Sequence, residues 1–301
     1  MARASFVVGS LVLAACGGGG RSTLADHDRG VVGSTGAVGA AGAPSRRPDP
    51  GPPPEAASGF VVVSHMRRSD GLMHDQFAGY FQTPAKALAS ADVKGFLARW
   101  AEVAIDTCIS TPPPPTPPME KPMYLDAGTL TLVAPDGADT PVPKTALGGV
   151  VVYDGQLAGK TFVSGGKYGI SGGGGDFTGF SGELWAPTDF ELVLPVAAAG
   201  LVVARSAPLE LRWKSDVDGD DVFVFLVQQG KTHVVCRLTD DGAFTVPTSA
   251  LAHLAPTAGA GAGTYPDQVI VEKYTWSSVP AGSANVLTEF LSGATLGVTY
   301  E

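Results

Sequence analysis

From Tyr124 onward the apolar residues of this chain come in short pieces closed by turn residues, at 128–134, 149–153, 160–163, 168–171, 177–184 and 189–194. Such spacing suits a sandwich or open barrel of short strands. With 40 glycines, 24 prolines and 16% charged residues, the expected class is all-β. Upstream, Phe60-Val61-Val62-Val63, the turn Ser69-Asp70-Gly71 and the stretch 74–82 read as a β-hairpin. Over 84–108 the spacing of Phe96, Trp100, Val103 and Cys108 predicts a short helix, and Val103, Ile105 and Thr107 alternate as a following strand. The run Pro112-Pro113-Pro114-Pro115-Thr116-Pro117-Pro118 offers no ladder donors and reads as an extended spacer.

A second unit begins after Pro195-Val196-Ala197-Ala198-Ala199-Gly200. There Leu209-Glu210-Leu211-Arg212-Trp213 alternates, 222–227 is a nearly continuous apolar run suited to a central strand, and 233–238 answers it across Gln229-Gly230. An Asp241-Gly242 turn, a strand ending at Pro247, one helical turn within 248–254 and strands over 269–276 and 286–300 complete it. The count of short strands, with a tryptophan in one of the first, follows an immunoglobulin-like sandwich, although the Cys-Trp-Cys spacing of that fold is missing. The expected architecture is two consecutive β-sandwich-like parts, 59–199 and 200–301, behind a disordered N-terminal tether. That tether, 16–58, is rich in Gly, Ala, Pro and Ser and has no hydrophobic period. Its arginines (Arg21, Arg29, Arg46, Arg47) balance its acids (Asp26, Asp28, Asp49, Glu55), so the acidity behind the net charge of −9 lies beyond residue 58. An acidic body repels nucleic acid, which is not expected as a partner.

The first residues give an address. Arg3 supplies a positive start and 5–15 an apolar stretch of signal-peptide length, too short to span a bilayer. The string Leu13-Ala14-Ala15-Cys16 resembles the lipobox of bacterial lipoproteins. The resemblance implies cleavage of 1–15, acylation of Cys16 with fatty chains such as palmitate, and an anchor in the lipid bilayer. Several chains on one cysteine make that anchor lasting. Gly17, where an inner-membrane retention signal has Asp, implies the outer membrane. In an exported, oxidising compartment the two remaining cysteines, Cys108 and Cys236, are expected to pair. Asp126-Ala127-Gly128-Thr129-Leu130, Phe180-Ser181-Gly182, Ala186-Pro187, Leu211-Arg212-Trp213 and Val235-Cys236-Arg237 with Asp241-Gly242 resemble pieces of the β-sandwich regions of uncharacterised exported lipoproteins. That resemblance brings no known activity.

Candidate chemistry is sparse. Gly169-Ile170-Ser171-Gly172-Gly173 matches a nucleophile elbow, with His233 or His253 as base, but an elbow needs a strand-to-helix turn and here more strand follows. Gly159-Lys160-Thr161 ends like a phosphate loop whose first glycine is replaced by Asp154. Asp216, Asp218 and Asp220 are a candidate calcium set, departing from the loop pattern at Asp221 and Val227, and an acidic turn is the simpler reading. His65 and His74 can face each other across the first hairpin as the start of a zinc site without a third ligand. Trp185, Trp213, Trp276, Tyr274 and Tyr300 form a sugar-stacking platform if several share an outer face. No cofactor is expected. The reading is a lipid-anchored cell-envelope protein of non-catalytic binding or structural role, with an envelope protein or a glycan as ligand. A carbohydrate-binding module and an envelope serine hydrolase using Ser171 are the alternatives.

Overall fold

The computed structural model describes residues 57–82, 103–110, 124–147, 150–157, 162–196, 201–214, 221–228, 231–257 and 267–301. The signal segment, Cys16, nearly all of the tether, the helix expected before residue 103, the Pro-rich spacer, Gly159-Lys160-Thr161, Asp216, Asp218 and Asp220, and the junction at 199/200 lie outside them.

The regular structure of the described residues is almost entirely strand, as the turn-bounded pieces predict. The first hairpin forms as read: β1 (Gly59–Arg68) and β2 (Met73–Phe81) pair antiparallel. Its turn uses Gly71 at φ 80, a conformation open to glycine, and the Leu72 amide donates to Asp70 Oδ1. These two strands belong to a ten-stranded sheet. In spatial order it runs β3 (Thr107–Ser110), β14 (Lys231–Leu238), β13 (Val222–Gln228), β16 (Gln268–Ala281), β17 (Ala284–Tyr300), β1, β2, β7 (Val150–Gln156) and β6 (Lys144–Leu147), with β11 (Leu201–Val203) beside the end of β17. The apolar run in β13 is buried at every position, because it lies between β14 and β16 with both faces covered.

Two smaller sheets stack on one face of this large one. The first is β5 (Asp139–Val142), β4 (Leu130–Val133), β8 (Lys167–Gly172) and β9 (Phe180–Trp185). The second is β10 (Glu191–Leu194), β12 (Leu209–Lys214) and β15 (Ala243–Val246), followed by the single turn α1 (Thr248–Leu251). Each encloses a core: Phe77, Phe81, Leu130, Tyr168 and Phe290 lie in one, and Trp213, Leu226, Cys236, Leu251 and Tyr300 in the other. The β16–β17 hairpin serves both. Val279 and Phe290 enter the first core, while Val271 and Leu296, further along the same strands and on the same face, enter the second. The strands expected over 269–276 and 286–300 form here, the first extended to 14 residues and the second to 17. Residues 139–147, not expected to be strand, form β5 and β6, whereas Phe162 and Val163 are outside any strand.

Between the two cores the hairpin turns polar. Lys273 is fully buried, pairs with the Asp240 carboxylate at 2.6 Å and donates to Thr188 Oγ1 at 2.7 Å. Trp213 Nε1 donates to the other Asp240 oxygen at 2.6 Å. Thr275 donates to the Trp185 carbonyl, and Ser277 to that of Glu183, so β16 is stitched to the edge of the four-stranded sheet.

A second polar knot closes the four-stranded sheet. Asp126 Oδ1 accepts from the Gly128 amide and from Tyr153 Oη, each at 2.8 Å, and Lys144 Nζ lies 2.7 Å from Oδ2. These partners hold the Asp126 carboxyl below the usual carboxylate range, Lys144 first among them. Gly128 sits at φ 76, and a Cβ there would meet the backbone of Gly174, so the turn requires glycine on both counts.

Cys108 and Cys236 are bonded, as the compartment argument expects. They face each other across β3 and β14, and Cys108 packs against the second core. The bridge therefore pins the stretch before the Pro-rich spacer to the edge of the large sheet. It closes a loop of sequence separation 128, which in the chain-entropy model restricts the unfolded state by about 5 kcal/mol.

Two measurements test this construction. Alkylation of the unfolded, unreduced protein is expected to leave Cys108 and Cys236 unmodified, and reduction to lower the melting temperature. Lys273→Met is expected to cost about 3–5 kcal/mol in urea unfolding, because it leaves the Asp240 carboxylate buried without its cation; adding Asp240→Asn should return part of the loss.

Candidate functional site

The sites read from sequence are dispersed. Ser171 lies inside β8, paired with Thr131 and Ser181, and not on a strand-to-helix turn. His233 is in β14 and the exposed His253 follows α1, both in the part built around the second core. His65 and His74 do not face each other. Strand register sets His65 opposite Asp75 and His74 opposite Met66, so the two imidazoles emerge on opposite faces. His65 Nδ1 meets Asp75 Oδ1 at 2.5 Å and its ring stacks on Phe162 with centroids 4.0 Å apart. The dyad goes no further: Ser292, the parallel partner of His65, is fully buried and its Oγ has no hydrogen-bond partner. Among the described residues no three His, Cys, Asp or Glu side chains gather as a metal site. Trp213 and Tyr300 belong to the second core, leaving Trp185, Tyr274 and Trp276 half-buried.

Tyr274 and Trp276 lead to the site that does form. Along β16 the residues alternate, and those at 270, 272, 274 and 276 emerge on the face of the large sheet opposite both cores. Two clusters lie there, one around Phe223, Phe225 and Ile270, the other around Phe60 and Leu287. Tyr274 packs against both. Phe60 stacks on Tyr80 at 5.0 Å, Tyr80 is tilted against Tyr124 at 5.3 Å, and Phe223 against Tyr274 at 4.9 Å. The amphipathic rings at 80, 274 and 276 remain partly open.

Set among these rings are two carboxyls. Glu289 in β17 stands directly between Trp276 of β16 and Val62 of β1, and is 6% exposed. Glu272 stands opposite Gly293 and beside Phe223. The glycine is needed: a Cβ at position 293 would come within 2.7 Å of the Glu272 Cβ. Neither carboxyl has a hydrogen bond or ion pair among the described residues. Burial pushes both up to about 8, and for Glu289 the Glu272 charge adds to the rise. Tyr80 and Tyr274 are also raised, first by burial and then by the Glu289 charge, with Tyr124 adding to Tyr80 ahead of it. The cation whose field reaches Tyr274 is Arg237, and it is held by Asp221 at 2.5 Å. On the same face Arg68 ends β1 and His74 lies on β2, three strands from Glu272.

Composition could flag the aromatics of this face but not the carboxyls. Glu272 and Glu289 are 17 positions apart in sequence, and only the hairpin register brings them to one face. No protein-family model and no curated protein sequence matches the chain.

A carboxyl raised in the folded state contributes stability that is complete below its unfolded range near 4.5 and is lost as pH rises toward 8. Glu289→Gln keeps the shape and removes the titration. Thermal melts from about pH 5 to about pH 9 are expected to show the variant equal to the wild type at the acid end and several degrees more stable at the alkaline end.

Proposed function

We propose that this chain is an outer-membrane lipoprotein, held by acylated Cys16 and carrying its β body on the tether 16–58. Its role is non-catalytic binding, exerted by the face that bears Glu289, Tyr274 and Trp276. The observation that carries the export half of this reading is the Cys108–Cys236 bridge, a bond that persists in oxidising compartments, in agreement with the lipobox string. What supports the binding half is the gathering of half-buried aromatic rings around two carboxyls, a constellation that the packing of the cores does not call for. A glycan ligand is the second reading, favoured by Tyr80, Tyr274 and Trp276 sharing one face, since such rings stack on sugars.

Cys16→Ser tests the anchor. The variant is expected to stay uncleaved or unlipidated and to leave the detergent phase in a two-phase partition, where the wild type is retained. If the variant partitions into detergent with the mature mass of the wild type, Cys16 is not the anchor.

A further inference from the structure

We infer that the outer face of the large sheet binds an organic ammonium cation, held between the carboxylates of Glu289 and Glu272 and the rings of Trp276, Tyr274 and Tyr80. The inference deepens the binding role proposed above and rests on it.

Three observations carry it. The first is Glu289 itself, a residue only 6% exposed, with no hydrogen bond or ion pair among the described residues, in the middle of the face. An unpaired carboxyl in such surroundings is a standing cost to the fold, and a glutamine or leucine of similar volume would be more stable there. The second is that the carboxyls come as two. Their mutual repulsion is felt at Glu289, and one cation between them relieves it. The third is the aromatic company. Trp276 is the direct cross-strand neighbour of Glu289, and Tyr274, one register position from Trp276 on the same face, lies between the two acids. Aromatic rings attract cations that are weakly hydrated, which selects a substituted ammonium over a bare metal ion.

Charge complementarity also favours this occupant over a neutral sugar. Among the described residues the basic groups of this face are occupied or remote: Arg237 is bound to Asp221, Arg68 stands exposed at the end of β1, and His74 lies three strands away. Binding must then draw the carboxyls into their charged form, so the ligand displaces protons and its affinity rises with pH.

The test is calorimetric titration of the full chain, in detergent, with tetramethylammonium chloride, and in parallel with methyl glucoside. Saturable binding of tetramethylammonium is expected, tighter by about tenfold at about pH 9 than at about pH 6, with proton release revealed by the dependence of the heat on buffer. Glu289→Gln and Trp276→Leu should each weaken it by about tenfold or more, and Glu191→Gln, in the distant three-stranded sheet, should not. Melting curves establish that each variant is folded. A tetramethylammonium heat that stays linear with added salt overturns the inference, and so does saturable binding that survives Glu289→Gln. If methyl glucoside binds instead and is lost in Trp276→Leu, the face is a binding site but not for cations. If neither probe binds, the binding role of this face fails as well, while the Cys16 anchor is judged separately.

Discussion

The Lys273–Asp240 pair is the constraint on which the rest of the architecture turns. A long antiparallel hairpin that runs beneath two separate stacks must cross the gap between them, and there its inward side chains find no apolar partner. In this chain the crossing is made by Lys273, Thr275 and Ser277, each tied to something on the far side. Asp240, from the loop joining β14 to β15, meets the lysine, and Trp213 of the three-stranded sheet meets the same carboxylate. Thr188, on the connection from the four-stranded sheet to the three-stranded one, takes the lysine's remaining reach. One buried cation thus relates the large sheet to both smaller stacks. Such a pair adds little net stability over an apolar substitute, and its effect here is on registration: the hairpin cannot slide without stranding a charge.

The remaining long-range ties act at the margins of that hairpin. β1 lies parallel to β17 over ten positions, so strands from the two ends of the body adjoin, and β11 adds the C-terminal end of β17 to the chain that leaves the first stack. At the far edge, β3 is a four-residue strand held by β14 and by the disulfide. A short edge strand with a covalent link leaves less unpaired backbone for another chain to extend.

How much of this is readable in sequence follows from where polar residues fall. The hairpin β1–β2 was legible because its apolar residues cluster and its turn carries Asp-Gly; β13 because six apolar residues stand together; the bridge because two cysteines remain once Cys16 is assigned to the anchor. The spine was legible only in part. Glu272, Lys273, Glu289 and Ser292 interrupt β16 and β17, and nothing in the composition of those strands marks Lys273 and Ser292 as wholly buried. Polar residues become buryable when partners arrive from elements far away in sequence, as Asp240 and Thr188 do, and periodicity holds no record of that. The same limit explains His65. Reading the hairpin without its register pairs it with His74, whereas the four-residue connection 69–72 between the strands sets it opposite Asp75.

Consecutive residues of β16 make the contrast that distinguishes folding from binding in this molecule. Lys273 points toward the cores and Glu272 away from them, on the same strand and at the same depth in the sheet. On the inner side the chain supplies the lysine with a carboxylate and a hydroxyl. On the outer side, among the described residues, Glu272 and Glu289 stand beside rings and feel each other's charge. If charges in this sheet were tolerated merely because its strands are long, both sides would be handled alike. They are not: the fold neutralises the charge it needs for registration, and among the described residues the outer pair beside Tyr274 and Trp276 has no such partner. Elsewhere Lys144, Lys167 and Lys214 each reach a nearby acid, so the chain places cations freely where it needs them. Among the described residues no such complement reaches the outer pair, and that asymmetry between the two sides of one strand is what the proposed cation ligand answers.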